Sequence, residues 1–236
     1  GIVHAVDGVS FHVDHGENMG LVGESGCGKT TLGKAIMYLE ETTSGHVYFE
    51  GMNILDAFKN ADKDRIRRVR RGIQMVFQNP YASLDPRMTV YDILSEPFLI
   101  LRNVAKNEWK EKVYELLSMV NLEDYHAERY PHEFSGGQRQ RICIARALAV
   151  DPKLVVADEP VSSLDVSIRA QILNLLMELQ KRRGLSYLYI SHDLSSVRQI
   201  TDRVSVMYLG RIAEVADTDE LYDRPLHPYT QALLSA

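Results

Sequence analysis

A short stretch near the start of the chain constrains the fold more than any other feature. Residues 23–30 have the sequence GESGCGKT and match the phosphate-binding loop pattern G-x-x-x-x-G-K-[ST]. The apolar residues 19–22 before it are predicted to form a strand, and residues 31–37 after it are suited to open a helix. A turn from strand to helix points backbone N–H groups at an anion, and the helix dipole favours negative charge there. The pattern therefore predicts a nucleoside-triphosphate site, with a glycine-rich turn that binds nothing as the alternative.

The side chains of this loop are suited to phosphate and to a metal ion. Lys29 can reach the outer phosphates, which gives it a predicted catalytic role, and the hydroxyl of Thr30 can bind Mg²⁺. The glycines let the backbone approach the phosphates closely. The nucleotide-binding residues predicted from the loop are Gly23, Glu24, Ser25, Gly26, Cys27, Gly28, Lys29, Thr30 and Thr31.

The composition is that of an ordinary globular protein. With 236 residues, of which 45% are hydrophobic and 25% charged, the chain is expected to form one large domain over residues 1–236. A net charge of -5 does not favour nucleic acid as a partner. Five arginines between Arg65 and Arg71 are the local exception. We interpret them as the solvated end of a helix, with a nucleic-acid or protein contact as the alternative.

The cysteines and the apolar runs bear on the cellular setting. Cys27 and Cys143 form neither a disulfide framework nor a metal-ligand spacing, which fits a reducing cytoplasm. No apolar run of the sequence approaches the ~18–20 residues that are needed to span a bilayer. We therefore expect no direct membrane insertion, so that any membrane role must come through a partner.

Strand and helix patterns alternate along the chain. Strands are predicted at 3–13, 46–49, 73–77, 154–157 and 185–190. Residues from about 85 to 150 have a helical pattern, and a further amphipathic helix lies between the last two strands, with Ile168, Ile172 and Leu176 on its apolar face. The alternation predicts an α/β fold with a largely parallel sheet. The helical block is interpreted as an insertion into that fold.

Two carboxylates follow the strand predicted at 154–157. In a protein with a phosphate-binding loop, a carboxylate at the end of a strand can hold the Mg²⁺ that bridges the phosphates, and Asp158 is predicted to do so. Glu159, the next residue, would point away from the metal and can orient or deprotonate the attacking water. A helix-capping acid pair is the alternative that the strand alone leaves open.

A second glycine-rich helix start lies at residues 134–138, which have the sequence FSGGQ. Ser135 is a good N-cap, and Gly136 and Gly137 leave N–H groups open at the helix start. This is a second predicted anion site in one chain. Both sites can serve one ligand, or one of them can serve a partner chain, and spacing alone does not decide between these.

Five motifs in this order resemble the nucleotide-binding domain of an ABC (ATP-binding cassette) ATPase. They are the loop at 23–30, FSGGQ at 134–138, the strand that ends in Asp158 and Glu159, SLD at 163–165 and SHD at 191–193. The resemblance covers essentially the whole chain. It implies a RecA-like, mostly parallel P-loop core with an antiparallel β portion and a helical subdomain inserted at approximately 85–150. It also implies ATP as the ligand, Mg²⁺ as cofactor and ATP hydrolysis as the activity.

The resemblance also implies roles for residues outside the loop. Gln78 matches a glutamine that touches Mg²⁺ and the water and senses the transmembrane partner. Asp165 matches a loop that couples two sites across a dimer, and His192 matches a histidine that contacts the γ-phosphate during catalysis. In the family, the residues that match Ser135, Gly136, Gly137 and Gln138 bind the ATP that the opposite subunit holds.

Longer stretches resemble the ATPase subunits of oligopeptide, dipeptide and nickel importers. They are QNPYASLDPRM at 78–88, VSSLDVSI at 161–168 and LHPYT at 226–230. This resemblance implies a homo- or heterodimer of ATPase subunits at the cytoplasmic face of the membrane, bound to permease subunits that a solute-binding protein supplies, and di- or oligopeptides as the solute. In this family an aromatic residue near the start of the cassette stacks on adenine. No aromatic residue precedes Phe11 here, and His4 is the substitute.

Two other functions remain open from the sequence. A soluble ABC ATPase that works with carbon–phosphorus bond-cleaving enzymes shares much of the same pattern, and enzyme partners instead of permeases would identify it. A P-loop kinase needs a pocket for an acceptor substrate and leaves the FSGGQ stretch unexplained.

Overall fold

Eight strands form two sheets in the computed structural model, which describes residues 4–235. The strands are β1 (Asn18–Val22), β2 (Tyr48–Phe49), β3 (Met52–Asn53), β4 (Ile73–Val76), β5 (Leu154–Asp158), β6 (Ser186–Ser191), β7 (Arg203–Tyr208) and β8 (Arg211–Asp217). The main sheet has the order β4–β5–β6–β1–β7–β8, and β2 pairs with β3 in a separate hairpin. All neighbours in the main sheet are parallel except β8, which runs antiparallel to β7. The predicted α/β class with a mostly parallel sheet is confirmed.

The register of the sheet brings three strand ends together. Val22 at the end of β1 lies opposite Ser191 at the end of β6, and Asp158 at the end of β5 lies opposite Ile190. The segments that follow these strands therefore leave the sheet at one edge. In open α/β sheets this carboxyl edge is where ligands bind.

Helices cover the sheet and fill the segment between β4 and β5. In chain order they are α1 (Lys29–Ile36), α2 (Ile54–Lys59), α3 (Lys63–Gly72), α4 (Pro80–Ser83), α5 (Val90–Leu101), α6 (Trp109–Met119), α7 (Gly136–Leu148), α8 (Val166–Arg183), α9 (Leu194–Ile200), α10 (Thr218–Asp223) and α11 (Pro228–Ser235). Short 3₁₀ turns lie at Lys106–Glu108, Asp124–Glu128 and Pro131–Glu133.

The helices α5, α6 and α7 pack around a shared apolar core. Phe98 of α5, Leu117 of α6 and Ile142 of α7 are almost completely buried. A capping box fixes the start of α5, since Thr89 accepts from the backbone N–H of Asp92 and the Asp92 carboxylate accepts from the backbone N–H of Thr89. The helical pattern predicted for this part of the chain is therefore present.

The central strands are buried on both faces. Along β6, Tyr187 and Tyr189 contact the core on the side of α7 and α8, whereas Leu188 and Ile190 contact a second core on the other side, which includes Met19. Successive side chains of a strand point to opposite faces, so a continuous apolar run is the pattern that a covered strand needs. This explains why the runs at 154–157 and 185–190 were predicted correctly as strands.

Two of the strand predictions were wrong in extent. Residues 4–13 form no strand, and Val3 lies outside the described residues. Val9, Phe11 and Val13 do alternate inward against the second core, but a strand also requires backbone pairing. The strand predicted at 46–49 is reduced to Tyr48–Phe49, which pairs with Met52–Asn53, and the carbonyl oxygen of Val47 accepts from the N–H of Ile54, where α2 begins. The hairpin of β7 and β8 was not predicted.

The buried helical core predicts a clear contrast between two leucines. Leu117→Ala removes a fully buried side chain, so we expect unfolding free energy to fall by about 2–5 kcal/mol. Leu99→Ala on α5 is the control, since Leu99 is 64% exposed and should change stability by about 0.5 kcal/mol or less. Urea denaturation measures both, and equal losses would contradict the packing described here.

Candidate active site

The phosphate-binding loop joins β1 to α1 and packs directly against other backbone segments. Gly23 has a φ of +150°, and a Cβ atom built there would lie 2.2 Å from the carbonyl oxygen of Met207. Gly28 has a φ of +110°, and its Cβ would lie 2.1 Å from the carbonyl oxygen of Ala5. A side chain at either position is therefore excluded by both conformation and space. Only glycine at these two positions permits this shape of the loop.

The start of α1 is an open anion site. Its N-cap residue, Gly28, has no side chain to accept from the first backbone N–H groups, and the first turn contains no acidic residue. The first N–H groups of a helix have no partner within the helix, and they carry the positive end of its dipole. An anion at this point would satisfy those donors, so the loop fits a phosphate group.

Lys29 adds a full positive charge to the loop. Its side chain is buried, and Nζ donates to the carbonyl oxygens of Gly23 at 2.7 Å and of Glu24 at 2.8 Å. Both acceptors are neutral, so the charge of Lys29 stays available to a phosphate. The loop thus combines a cation with free backbone donors.

Oxygen atoms suited to Mg²⁺ lie beside the loop. The hydroxyl of Thr30 donates to the Asp158 carboxylate at 3.0 Å. Burial raises the pKa of Asp158, which the hydrogen bond from Thr30 partly opposes. Because burial penalises the charged carboxylate, a nearby cation would stabilise it. Within residues 4–235 no cluster of three or more His, Cys, Asp or Glu residues forms a metal cage. A shared site of few protein oxygens, phosphate and water suits Mg²⁺.

Glu159 lies between two of the residues that the sequence singled out. Its carboxylate accepts from Nε2 of Gln78 at 2.7 Å and lies 2.8 Å from Nδ1 of His192. Glu159 itself has a φ of +47°, and its backbone N–H donates to Ile190 of β6. A left-handed conformation in a non-glycine residue is strained and commonly marks a functional position. The neighbours therefore hold the Glu159 carboxylate in one orientation.

These groups line one open cavity of about 880 Å³. Its walls contain Lys29, Thr30, Gln78, Glu159 and His192, which come from four separate parts of the chain. Five further residues line the cavity: His4, Ala5, Leu209, Gly210 and Leu233. Of these, only His4 was predicted from the sequence. Leu209 and Gly210 join β7 to β8, so only a prediction of that hairpin would have found them.

The second glycine-rich helix start is arranged differently from the first. At the start of α7, Oγ of Ser135 accepts from the backbone N–H of Gln138, and Oε1 of Gln138 accepts from the backbone N–H of Ser135. This capping box already satisfies two donors, so Gly136 and Gly137 carry the open ones. A Cβ atom on Gly137 would lie 2.4 Å from Cγ2 of Ile168, which requires glycine at this contact with α8.

The predicted residues therefore fall into two groups. Among the described residues, neither Ser135–Gln138 nor Asp165 lines the cavity that holds Lys29 and Glu159. Asp165 and Ser135 are both exposed, and Gly136 lies next to Leu164, the neighbour of Asp165. Together these residues form what we call the Ser135 surface, which lies apart from the cavity lining of the same chain.

The sequence analysis missed an ion pair between Arg169 of α8 and Asp193, the residue after His192. Nη1 of Arg169 donates to the carboxylate of Asp193 at 3.0 Å, and Nη2 donates to the carbonyl oxygen of Leu164 at 3.4 Å. Asp193 in turn caps α9 by accepting from the backbone N–H of Ser195. Nothing in the local sequence around Arg169 indicates this contact, because it depends on how α8 and α9 pack.

Comparison with known families places this geometry in a context. The family model described as ABC transporter matches residues 6–162, more than half of the chain. The chain belongs to the ABC transporter family. The resemblance found in the sequence motifs is therefore confirmed.

Two relatives of this ABC cassette are named as ATP-binding proteins of peptide transport. The oligopeptide transport ATP-binding protein OppF of Bacillus subtilis is 56% identical, over 100% of this chain and 77% of the relative. The dipeptide transport ATP-binding protein DppF of Escherichia coli is 54% identical, over 100% of this chain and 69% of the relative.

Solved structures share the fold of this ABC cassette. A dimeric ATP-binding cassette in a post-hydrolysis state, bound to ADP and Pi, matches with a TM-score of 0.80 and 29% identity over 92% of this chain and 91% of its own. The cassette cbiO1 from Clostridium perfringens, part of the ABC transporter complex cbiONQ, matches with a TM-score of 0.81 and 27% identity over 93% of this chain and 84% of its own. Between residues 4 and 235, none of the helices combines the length and the apolar composition that crossing a membrane requires.

The position of Glu159 generates a test of the site in this ABC cassette. Glu159→Gln keeps the size of the side chain and the contact with Gln78 but removes the base, so ATP should still bind while hydrolysis falls by about 10²-fold or more. ATP should then trap a dimer. Phosphate release, equilibrium ATP binding and size-exclusion chromatography measure the three effects. Glu178→Gln, on the surface of α8, is the control, and undiminished hydrolysis by Glu159→Gln would remove Glu159 from the mechanism.

Proposed function

We propose that this ABC cassette is the ATP-hydrolysing subunit of an importer for di- or oligopeptides. The observation that carries the proposal is the single cavity lined by the phosphate-binding loop and Glu159, with Asp158 directly behind it through its hydrogen bond from Thr30. The transport names of the relatives at 54–56% identity support a peptide importer over a soluble ATPase that assists an enzyme complex.

The loop binds the phosphates of ATP in this proposal. Backbone N–H groups at the start of α1 and the ammonium group of Lys29 bind the phosphate oxygens. Thr30, Asp158 and the amide oxygen of Gln78 are the protein ligands of Mg²⁺. When bound, Mg²⁺ would neutralise charge on the phosphates.

Glu159 activates the water that attacks the γ-phosphorus. The carboxylate accepts a proton from the water, a new P–O bond forms to the water oxygen, and the bond from the γ-phosphorus to the bridging oxygen of ADP breaks. Gln78 and His192 hold the carboxylate from two sides. His192, which is 53% exposed at its side chain, is free to turn towards the γ-phosphate. The products are ADP and phosphate.

Two cassettes act together in this mechanism. Ser135 and Asp165 are exposed, and neither they nor Gly136, Gly137 and Gln138 line the cavity of their own chain. On a second cassette, identical or closely related, the same surface can contact the γ-phosphate of the nucleotide held opposite. ATP then joins the two cassettes, and hydrolysis releases them. The dimeric arrangement of a solved relative supports this geometry.

An apolar groove next to Gln78 is suited to a permease segment. The groove holds about 330 Å³ and is lined by Phe77, Pro97 and Ile100 among others, with Phe77 40% and Ile100 57% exposed. Exposed apolar surface of this kind commonly marks a protein contact. Since Gln78 follows Phe77 directly, a permease in the groove would sense the occupancy of the site.

We further propose that residues 85–150 act as a helical subdomain that carries the groove wall and the Ser135 surface together. Both depend on the shared core of α5, α6 and α7. The cassette would then lie at the cytoplasmic face of the membrane, held there by permease subunits that receive peptides from a solute-binding protein.

Ser135→Arg tests the two-cassette mechanism. An arginine at this exposed position should block the approach of a second cassette, so steady-state hydrolysis should fall by about tenfold or more while ATP affinity of dilute monomer stays within about twofold. Phosphate release and calorimetric ATP binding measure the two quantities. Ser118→Arg on exposed α6 surface is the control. A large loss of affinity in dilute monomer would mean that Ser135 acts on the nucleotide of its own chain.

Ile100→Glu tests the permease contact. A carboxylate in this mostly apolar groove, which Arg70 and Arg146 also line, should reduce co-purification with the permease subunits while leaving ATP binding unchanged, since burying a charge at a protein contact is costly. Tyr48→Glu is the control, because Tyr48 is 65% exposed on the separate β2–β3 hairpin. Affinity purification followed by quantification of permease per cassette measures the effect. Equal recovery with both variants would exclude the groove as the docking site.

A further inference from the structure

We propose that Tyr229, near the C-terminal end of the described chain, is a positioning residue for the phosphate-binding loop. Its hydroxyl oxygen accepts from the backbone N–H of Glu24 at 3.0 Å, across 205 residues of sequence. The inference rests on the proposed function, because it assigns a role to Tyr229 in nucleotide binding at the same loop. It adds a residue that lies in none of the motifs of the cavity.

The contact fixes one particular peptide group. The carbonyl oxygen of Gly23 accepts from Nζ of Lys29 at 2.7 Å, and the N–H of the same peptide, on Glu24, donates to Tyr229. The C=O and N–H of a trans peptide point in opposite directions. Lys29 therefore holds the peptide on one side and Tyr229 holds it on the other. A flip of this peptide would break both hydrogen bonds.

The loop needs this support because glycine permits the loop conformation but does not restrict the backbone to it. Gly23 is at a φ of +150°, where its lack of a side chain allows several backbone conformations at low cost. When Lys29 turns towards a phosphate, its hydrogen bond to the Gly23 carbonyl weakens. Tyr229 then becomes the main partner that holds the peptide in the conformation that binds phosphate.

Several contacts hold Tyr229 in place. The ring packs against that of Tyr208 of β7 in a tilted arrangement at a centroid distance of 4.2 Å, and the Tyr229 backbone N–H donates to Nδ1 of His227 at 3.1 Å. The Glu214 carboxylate on β8 accepts from the backbone N–H groups of Leu226 and His227 at 2.8 and 3.0 Å. Burial raises the pKa of the Tyr229 phenol, so the hydroxyl stays neutral at physiological pH.

The same helix also reaches the nucleotide cavity directly. Leu233 of α11 lies in the wall of the cavity, one turn beyond Tyr229. The segment from Leu226 to Ser235 therefore holds the loop from outside and closes part of the cavity. Its attachment to β8 through Glu214 makes the β7–β8 hairpin, which lies at one end of the sheet, part of the support of the phosphate site.

Tyr229→Phe tests the role, because it removes the hydroxyl and keeps the ring on Tyr208. We expect the Kd and KM for MgATP to rise by about two- to tenfold, as the loss of one hydrogen bond predicts, with kcat unchanged. The matched control is Tyr222→Phe, whose hydroxyl donates to the carbonyl oxygen of Leu194 away from the cavity. Both variants lose one tyrosine hydrogen bond, so their melting temperatures should fall by similar amounts. Only Tyr229→Phe should weaken nucleotide binding.

Hydrogen exchange gives a readout that does not depend on nucleotide. In the full-length protein without ATP, the amide of Glu24 should exchange about two- to tenfold faster in Tyr229→Phe than in the wild type and at the wild-type rate in Tyr222→Phe. Unchanged exchange, or equal ATP affinity in the two variants, would overturn the inference. If wild-type protein failed to bind ATP, the proposed function would fail instead, whereas faster exchange at Glu24 would still establish the contact.

Discussion

The site depends on the parallel register of β5, β6 and β1. Because Asp158, Ser191 and Val22 end these strands at nearly the same level, the segments that follow leave the sheet side by side. The phosphate-binding loop, Glu159 and His192 therefore meet without any of them being near another in sequence. A parallel sheet needs crossover helices, and these cover both faces of the central strands with apolar side chains. The burial that stabilises the sheet thus also keeps the register that assembles the site.

Charge is distributed across the cavity in a way that suits a triphosphate with a divalent cation. On one side, Lys29 and the uncapped start of α1 present positive charge whose protein partners are neutral carbonyls. On the other side, Asp158 and Glu159 present carboxylates, one bound to Thr30 and the other held by an amide and an imidazole. An anion would fit next to the first group and, in the proposed function, Mg²⁺ would fit next to the second. This separation is what lets one small cavity hold both without a dedicated metal cage.

The two glycine-rich helix starts serve different purposes although their sequences look alike. At the first, glycine allows the backbone to pack against Met207 and Ala5, and the donors of α1 stay open. At the second, Ser135 and Gln138 cap one another, and Gly137 is required by close contact with Ile168 of α8. The first lines the cavity together with Glu159, whereas none of Ser135, Gly136, Gly137 and Gln138 lines it. This difference is the physical basis for assigning the second site to a partner cassette.

The sequence alone determined the family, the α/β class, the central strands and nearly all of the residues assigned to the site. It did so because motif spacing and apolar runs reflect local chemistry: a loop between a strand and a helix, and strands covered on both faces. It failed at residues 4–13, where the alternating pattern is present but the one backbone bond to β7–β8, from Asp7 to Gly210, does not continue into the ladder that a strand requires. The tertiary structure decided which residues share a cavity and which face away. It also placed Arg169 beside Asp193 and Tyr229 beside Glu24, contacts between segments that are distant in the chain. Such pairs leave no local pattern, since they exist only once helices and strands have packed.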